Sequence, residues 1–379
     1  MKVTLSFKSP FIVGGKKLTN NYIESLDYIK GNVVRAAFAK YILENCIEYK
    51  EDDIVKVDGV ERKNWVYYRN KKGCVSCKLK GLCKNFSNAK FMYFYPKGVK
   101  IVPLTLMRCK QNPNHKFIDC LIQDKVCKQC DDKNGRVEFF NGYLKDNKEY
   151  SVRKMIVTKN SINKYTETSK DGFLYSLVSV SGTDDNENVF TGSIYGFNAE
   201  DLNEIKQLRL GSYTSIGYGL CLLSYENNYV KDKNKILQNL KKFNRQYKKH
   251  NKIKEECNYF AIKFTSDGKL NFTIKQSYNT TDEYMKMWEN ALGLNDEYKI
   301  DKVYSDTFVY RGYDQSKNSE DKREEPCEMI VKGSVIVFKT HNDFNKVILD
   351  FDKIKGFGNE NENGFGDYEF YFGGVSNER

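Results

Sequence analysis

Val3-Thr-Leu-Ser-Phe7 alternates apolar and polar side chains, the period of a strand with one buried face. Gly31-Asn32 leads into 33–46, where Val34, Ala37, Phe38, Tyr41 and Ile42 recur at helical spacing. Strand patterns return at 155–157, 173–180 and 190–195, after a long polar stretch. In 234–249, Ile236, Leu237, Leu240 and Phe243 fall on one face of an amphipathic helix. Tyr259–Phe264 then opens a new strand. Strands and helices mixed in this order predict an α+β fold.

The pattern repeats. Gly192-Ser-Ile194 is followed by a short helical segment at 201–208, then Gly211-x5-Gly217-x-Gly219 and a strand at 220–225. Gly333-Ser-Val335 is followed by a helix at 343–351, then Gly358-x5-Gly364-x-Gly366 and a strand at 367–372. The matched order and glycine spacing imply a duplicated unit. Glycine permits positive φ and close backbone approach, and successive amides in such a turn form a nest for anions. Arg209 precedes the first loop, which carries Ser212, Tyr213, Thr214, Ser215 and Tyr218. The second loop carries Glu360 and Glu362 and no cation. The first is therefore expected to hold phosphate and the second to serve the fold. Neither loop matches a P-loop or a dinucleotide fingerprint.

Lys and Arg outnumber Asp and Glu by 62 to 50 across 379 residues. The excess favours a polyanionic partner, and 27 tyrosines and 24 phenylalanines supply faces on which bases stack. No apolar run is long enough to span a bilayer and the N-terminus lacks a signal-peptide pattern, so the chain is expected to be cytoplasmic.

Seven of the eleven cysteines lie between 74 and 130. Cys74-x2-Cys77 and Cys127-x2-Cys130 have zinc-knuckle spacing, and Cys83, Cys109, His115 and Cys120 offer further ligands. One zinc could take both knuckles. Alternatively, Cys74, Cys77, Cys83 and Cys109 form one site and His115, Cys120, Cys127 and Cys130 another. Either site would be closed and structural. The cysteine-rich stretch reads as an insertion over 51–135.

Residues 356–366 resemble the glycine-rich loop of the RAMP superfamily, RNA-binding proteins of CRISPR systems. Tyr28-Ile-Lys-Gly-Asn-Val-Val-Arg-Ala-Ala-Phe38 resembles the segment opening that family's first helix. Asp171-Gly-Phe-Leu-Tyr175, Phe190-Thr-Gly192 and Gly211–Gly219 are also similar to it. Lys30, Asn32 and Ala36 stand where the family has proline, serine and glycine, and Tyr213 and Thr214 replace its usual basic residues. The cysteine-rich stretch and the length resemble the larger subunit of type III-D effector complexes, related to the subunits that cap the 5′ handle of CRISPR RNA.

The resemblance implies two ferredoxin-like (RRM-like) domains, 1–230 with the insertion and 259–379, joined by the basic helix 231–258. It implies CRISPR RNA and other type III subunits as partners, with no membrane and no small-molecule substrate. RNA contacts would fall at Arg35, Arg153, Arg209, Gly211, Ser212, Tyr213, Thr214, Ser215, Gly217, Tyr218 and Gly219. Related RAMP proteins include endoribonucleases that process precursor RNA, which is the competing reading. A zinc-containing RNA-binding protein of another pathway is a third. His250 and His341 have no neighbouring acid–base partner in sequence, and Asp27 reads as a turn or cap residue, so no catalytic residue is expected.

Overall fold

Val3, Leu5 and Phe7 lie on the buried side of strand β1 (Lys2–Phe7), whose exposure alternates residue by residue. The computed structural model describes residues 1–19, 22–130, 134–181, 188–227, 232–270 and 280–374. After β1 come α1 (Gly31–Glu44), β2 (Lys90–Phe91), β3 (Val189–Tyr195), α2 (Ala199–Asn203) and β4 (Leu220–Glu226). Their antiparallel sheet runs β4-β1-β3-β2, with Gln207–Arg209 added outside β4. Val34, Phe38 and Ile42 of α1 and Leu202 of α2 close one core with the inward side of β1.

The second half repeats this plan. Strand β5 (Asn258–Phe264), α4 (Thr281–Leu292), β6 (Lys299–Tyr304), β7 (Val335–Thr340), α5 (Phe344–Lys353) and β8 (Tyr368–Tyr371) follow the long helix α3 (Lys233–Asn251). The sheet order is β8-β5-β7-β6, again antiparallel. Trp288, Val347 and Phe351 pack on Phe260, Ile262 and Phe264. Strand β5 does not alternate, because six of its seven residues are buried. The cause is α3, which lays Phe243 and Tyr247 on the opposite face, against Tyr259, Ala261, Val335 and Val337. A sheet covered on both sides needs apolar residues at successive positions.

Residues 51–135 do not form one insertion. β2 is the outer strand of the first sheet, and Tyr95–Pro96 also pairs with β3. Phe91 and Phe94 are fully buried in the first core; burying two aromatics outweighs the polar composition around them. The cysteines are thereby split. Cys77 and Cys83 pack with Leu79, Leu82 and Phe86 on the first core, while 106–109, 118–119 and 137–139 form a separate small sheet.

The halves meet at the second glycine loop. A methyl group on Gly31 would lie 1.9 Å from the Phe91 carbonyl oxygen and 2.3 Å from that of Asn363. One on Gly364 would lie 2.4 Å from the same Phe91 oxygen. Phe365 inserts beside Tyr28, Tyr93 and Met329. Asp267, 1 % exposed, accepts from the Tyr28 hydroxyl at 2.8 Å and from the Lys332 amide at 3.1 Å. Lys30 Nζ lies 4.0 Å from the same carboxylate. Burial pushes the amines of Lys30 and Lys332 down in pKa, and Asp267 opposes that shift in both. Lys332 Nζ lies 3.9 Å from the centre of the Tyr28 ring.

Gly364→Val places a β-branched side chain at φ +78° against the Phe91 backbone. The expected cost is about 3 kcal/mol or more, read as a lower melting temperature. Gly217→Ala, at φ +101° with nothing within 4 Å of the added carbon, should cost only about 1 kcal/mol. Equal melting temperatures for the two variants would show that loop 356–366 does not hold the halves together.

Candidate functional site

The loop between Arg209 and β4 is built on four residues with positive φ: Gly211 (87°), Tyr213 (60°), Gly217 (101°) and Gly219 (77°). A 3-10 turn, Thr214–Ile216, lies between Tyr213 and Gly217. In the second copy Gly358 (81°), Glu360 (57°), Gly364 (78°) and Gly366 (69°) match one for one, around the 3-10 turn Asn361–Asn363. The backbones agree and their settings do not. Gly364, Phe365 and Gly366 are buried, whereas Ser212, Ser215 and Gly217 are exposed. Tyr218 occupies the place of Phe365. Its ring lies 6.3 Å from that of Tyr213, with Lys159 Nζ 5.4 Å from its centre.

The loop is held from behind. The amides of Ser212 and Gly219 donate to Ile12 and Pro10, and those of Ile216, Gly217 and Tyr218 close the turn on Tyr213 and Thr214. Among the described residues, the amides of Tyr213, Thr214 and Ser215 donate to no protein group. Three consecutive free amides with hydroxyls beside them suit an oxyanion. The nest therefore lies on 213–215, and the glycines make its backbone path. Arg209 is exposed beside it, with Nη1 3.4 Å from the Tyr218 carbonyl oxygen. In the second loop the matching amides of Glu360, Asn361 and Glu362 likewise donate to no protein group among the described residues, but the side chains differ: Lys269 pairs with Glu360, and Asn361 donates to the carbonyls of Gly356 and Gly358.

Of the other two arginines, Arg35 is taken up inside the fold. Arg35 donates from Nη1 to the Ala89 carbonyl at 2.9 Å and from Nη2 to that of Phe86 at 3.3 Å, with its guanidinium 5.0 Å from the centre of the Phe86 ring. Burial pulls its pKa down. Those bonds lock α1 to the chain entering β2. Arg153 is exposed at the start of the hairpin 154–180, whose Val180 pairs with Phe11.

The metal-ligating residues gather differently from either grouping that spacing implied. Cys109, His115, Cys127 and Cys130 place their ligand atoms within 4.8 Å of one another, a set able to hold a metal ion. Cys109 Sγ is 3.5 Å from Cys130 Sγ, and His115 Nδ1 is 3.3 Å from Cys127 Sγ and 3.7 Å from Cys130 Sγ. Cys120 drops out and Cys109 enters because of strand register. Met107 faces Ile118 and Leu106 faces Asp119, so Cys120 lies level with Thr105. Four residues along that strand, about 13 Å at the usual rise, Cys109 reaches the His115 end. Cys77 and Cys83 pack on the first core instead, and Cys74 is buried on the single-turn helix Lys72–Val75.

Burial raises the Cys109 thiol, but amides of Asn112 and Gln111 pointing at its sulfur, with Cys130 and His115, bring it below the ordinary thiol range. Burial and the neighbouring sulfurs push Cys130 up. Gly135 exchanges two backbone hydrogen bonds with Cys127, and a methyl group on it would lie 2.2 Å from Cys130 Sγ.

Asp27 forms an ion pair with Lys154 at 2.6 Å, and Glu24 shares that lysine. His250 Nδ1 is 3.8 Å from Asp124, and His341 lies against Cys257. Among the described residues, no helix is long and apolar enough to cross a membrane.

No family model matches the chain, and no curated protein matches it. Solved structures that match include a subunit of the type III-B Cmr-beta complex bound to cognate target RNA and AMPPnP. It is 16 % identical, with TM-score 0.43, covering 94 % of this chain and 90 % of that one. The complex bound to cognate target RNA alone gives TM-score 0.41 at 16 % identity with the same coverage. The apo complex gives 0.27 at 12 %, covering 60 % of this chain and 98 % of that one. Overlap at this level carries no argument about function.

Gly135→Ala and Cys127→Ser should each lower the metal content of the purified chain by one equivalent, measured by elemental analysis. Unchanged metal in both would show that these four residues hold none.

Proposed function

We propose that the chain is a CRISPR RNA-binding subunit of a type III effector complex, of the type III-D kind related to the subunits that cap the repeat-derived 5′ handle. The observation that carries this reading is the loop 211–219. It repeats the backbone of a loop used inside the fold, yet sets exposed hydroxyls and Arg209 beside its free amides where the other copy carries Glu360 and Glu362. Phosphate oxygens accept from such donors, and Tyr213 and Tyr218 supply faces for bases. The RAMP-like motifs supply the pathway. Strand–helix–strand–strand–helix–strand, twice, with the first strand between the third and fourth, supports reading each half as a ferredoxin-like domain.

We assign zinc to the cluster of Cys109, His115, Cys127 and Cys130. A tetrahedron with bonds of about 2.3 Å to sulfur and 2.0 Å to nitrogen has edges of about 3.5–3.8 Å. Three of the six separations among the four ligand atoms, 3.3, 3.5 and 3.7 Å, fit it, and all six lie within 4.8 Å. Three thiolates and an imidazole close the shell, so the ion's role is to staple a small sheet. The proposed role is binding rather than catalysis, since Asp27, His250 and His341 each have a protein neighbour of their own and stand on separate elements.

Arg209→Ala should weaken binding of repeat RNA and reduce the salt slope by about 0.7, one single-strand phosphate contact. RNA copurified with the chain should carry a repeat-derived 5′ end when sequenced. Unchanged affinity and slope would remove the loop from the interface. Specific cleavage of repeat RNA, abolished by Asp27→Ala, His250→Ala or His341→Ala, would establish the endoribonuclease reading instead.

A further inference from the structure

We propose that the outer face of α3 is a second RNA-binding surface, which takes the phosphate backbone of a single strand along Lys241, Lys242, Arg245 and Lys249. The proposal rests on the reading of the chain as an RNA-binding subunit. It adds a surface on the second half, whereas loop 211–219 stands on the first.

The placement follows from the side of α3 that is buried. Leu240, Phe243 and Tyr247 are fully buried against the second sheet. At about 100° per residue, Gln238, Lys241, Lys242, Arg245 and Lys249 fall on the opposite side, and all five are exposed. Lys241, Arg245 and Lys249 recur every four residues, about 6 Å of rise at each step. The cations therefore form a row along the helix axis.

The fold does not need this row. α3 holds seven Lys and Arg among 19 residues and no acid, in a chain whose net charge is +12, so one helix carries more than half of the excess. Lys241, Lys242 and Lys249 each stand three or four residues from Arg245, and like charges at that spacing work against a helix. Lys233 and Lys235 add cations to the first turn, where the helix dipole disfavours them. Elsewhere on this half lysines are matched with acids: Lys299 with Glu289 and Asp296, Lys346 with Glu297, Lys353 with Asp350. Among the described residues, the side chains of Lys241, Lys242, Arg245 and Lys249 make no ion pair and no hydrogen bond. A row of cations that opposes its own helix and has no partner in the chain is explained by a partner outside it.

Two grooves flank the row and share Lys241 and Arg245. One, of about 360 Å³, lies between α3 and the start of α5. Asp343 is the acid at its edge, and its carboxylate is spent on capping α5, where it accepts from the amides of Asn345 and Lys346. The other is lined also by Lys242, Gln238 and Gln246, whose carboxamides offer donors and acceptors to sugars and base edges. A membrane does not fit this face, because the apolar side of α3 is turned inward and leaves nothing to insert. An acidic protein would meet the same cations, but a nucleic-acid strand carries a charge at every nucleotide and matches a row that recurs along one axis.

The test measures affinity of the full chain for labelled repeat RNA and labelled poly-uridylate across a salt series. The variants are Arg209→Ala and the combination of Lys241→Gln, Arg245→Gln and Lys249→Gln. Glutamine keeps helix propensity and removes the repulsion, so the triple variant should melt at or above the wild-type temperature. Its affinity at physiological salt should fall by roughly tenfold or more and its salt slope by about 2, three phosphate contacts at about 0.7 each. The loss should be equal for the two RNAs, since phosphate contacts carry no sequence. Unchanged affinity and slope in the triple variant, with the Arg209→Ala effect intact, would overturn this surface and leave loop 211–219 as the interface. A loss in the triple variant with Arg209→Ala unchanged would support this surface and remove the loop. A wild-type chain that binds neither RNA would overturn both readings. Competition by poly-glutamate as effective as by unlabelled poly-uridylate would overturn RNA as the occupant and assign the face to an acidic protein.

Discussion

Where Gly31 and Gly364 pass the Phe91 carbonyl, backbone meets backbone with no room for a methyl group. Beside that contact Asp267, almost without access to water, is held by the Tyr28 hydroxyl and the Lys332 amide and lies near the Lys30 ammonium. A buried carboxylate is tolerated only when its oxygens are bonded and its charge is opposed. Its partners come from both halves of the chain. The carboxylate and the glycine contact therefore act as one junction, and separating the halves would break the carboxylate's bond to Tyr28 and its pairing with Lys30.

The junction also decides what each glycine loop can do. Both copies follow the same path, including a non-glycine residue in the left-handed region, Tyr213 in one and Glu360 in the other. Phe365 has no polar end and fills the space between Tyr93 and Tyr310. Tyr218 stands at the same place in the other copy and remains partly exposed. With loop 356–366 wedged between the halves and Glu360 paired to Lys269, its counterpart is the copy left open to a ligand.

The cysteine-rich stretch shows how a short polar segment is kept in place when it cannot build a core. Between its two knuckles the chain buries Phe91 and Phe94 in the first sheet, so the knuckles end on different bodies. The later one closes with Cys109 and His115 in a small core of four cysteines, Met107 and Ile118. Gly135 is the local condition for that closure, since any larger residue would meet the Cys130 sulfur.

Much of this was legible in the chain itself. Alternation at Val3–Phe7, the helical stripe of α1, the amphipathic α3 and the two glycine loops 147 residues apart are local patterns, and local patterns fix periodicity and turn geometry. So is the difference in chemistry between a loop of hydroxyls and a loop of glutamates. Pairing in space is another matter. Cys109 replaced Cys120 among the ligands because of register in a short strand pair, and spacing carries no register. Arg35 resembled a phosphate ligand, yet its guanidinium binds the carbonyls of Phe86 and Ala89, a contact between segments that no window of sequence joins. Lys90–Phe91 looked like the middle of an insertion because two residues are too few to show a period, and only the sheet they complete makes them a strand.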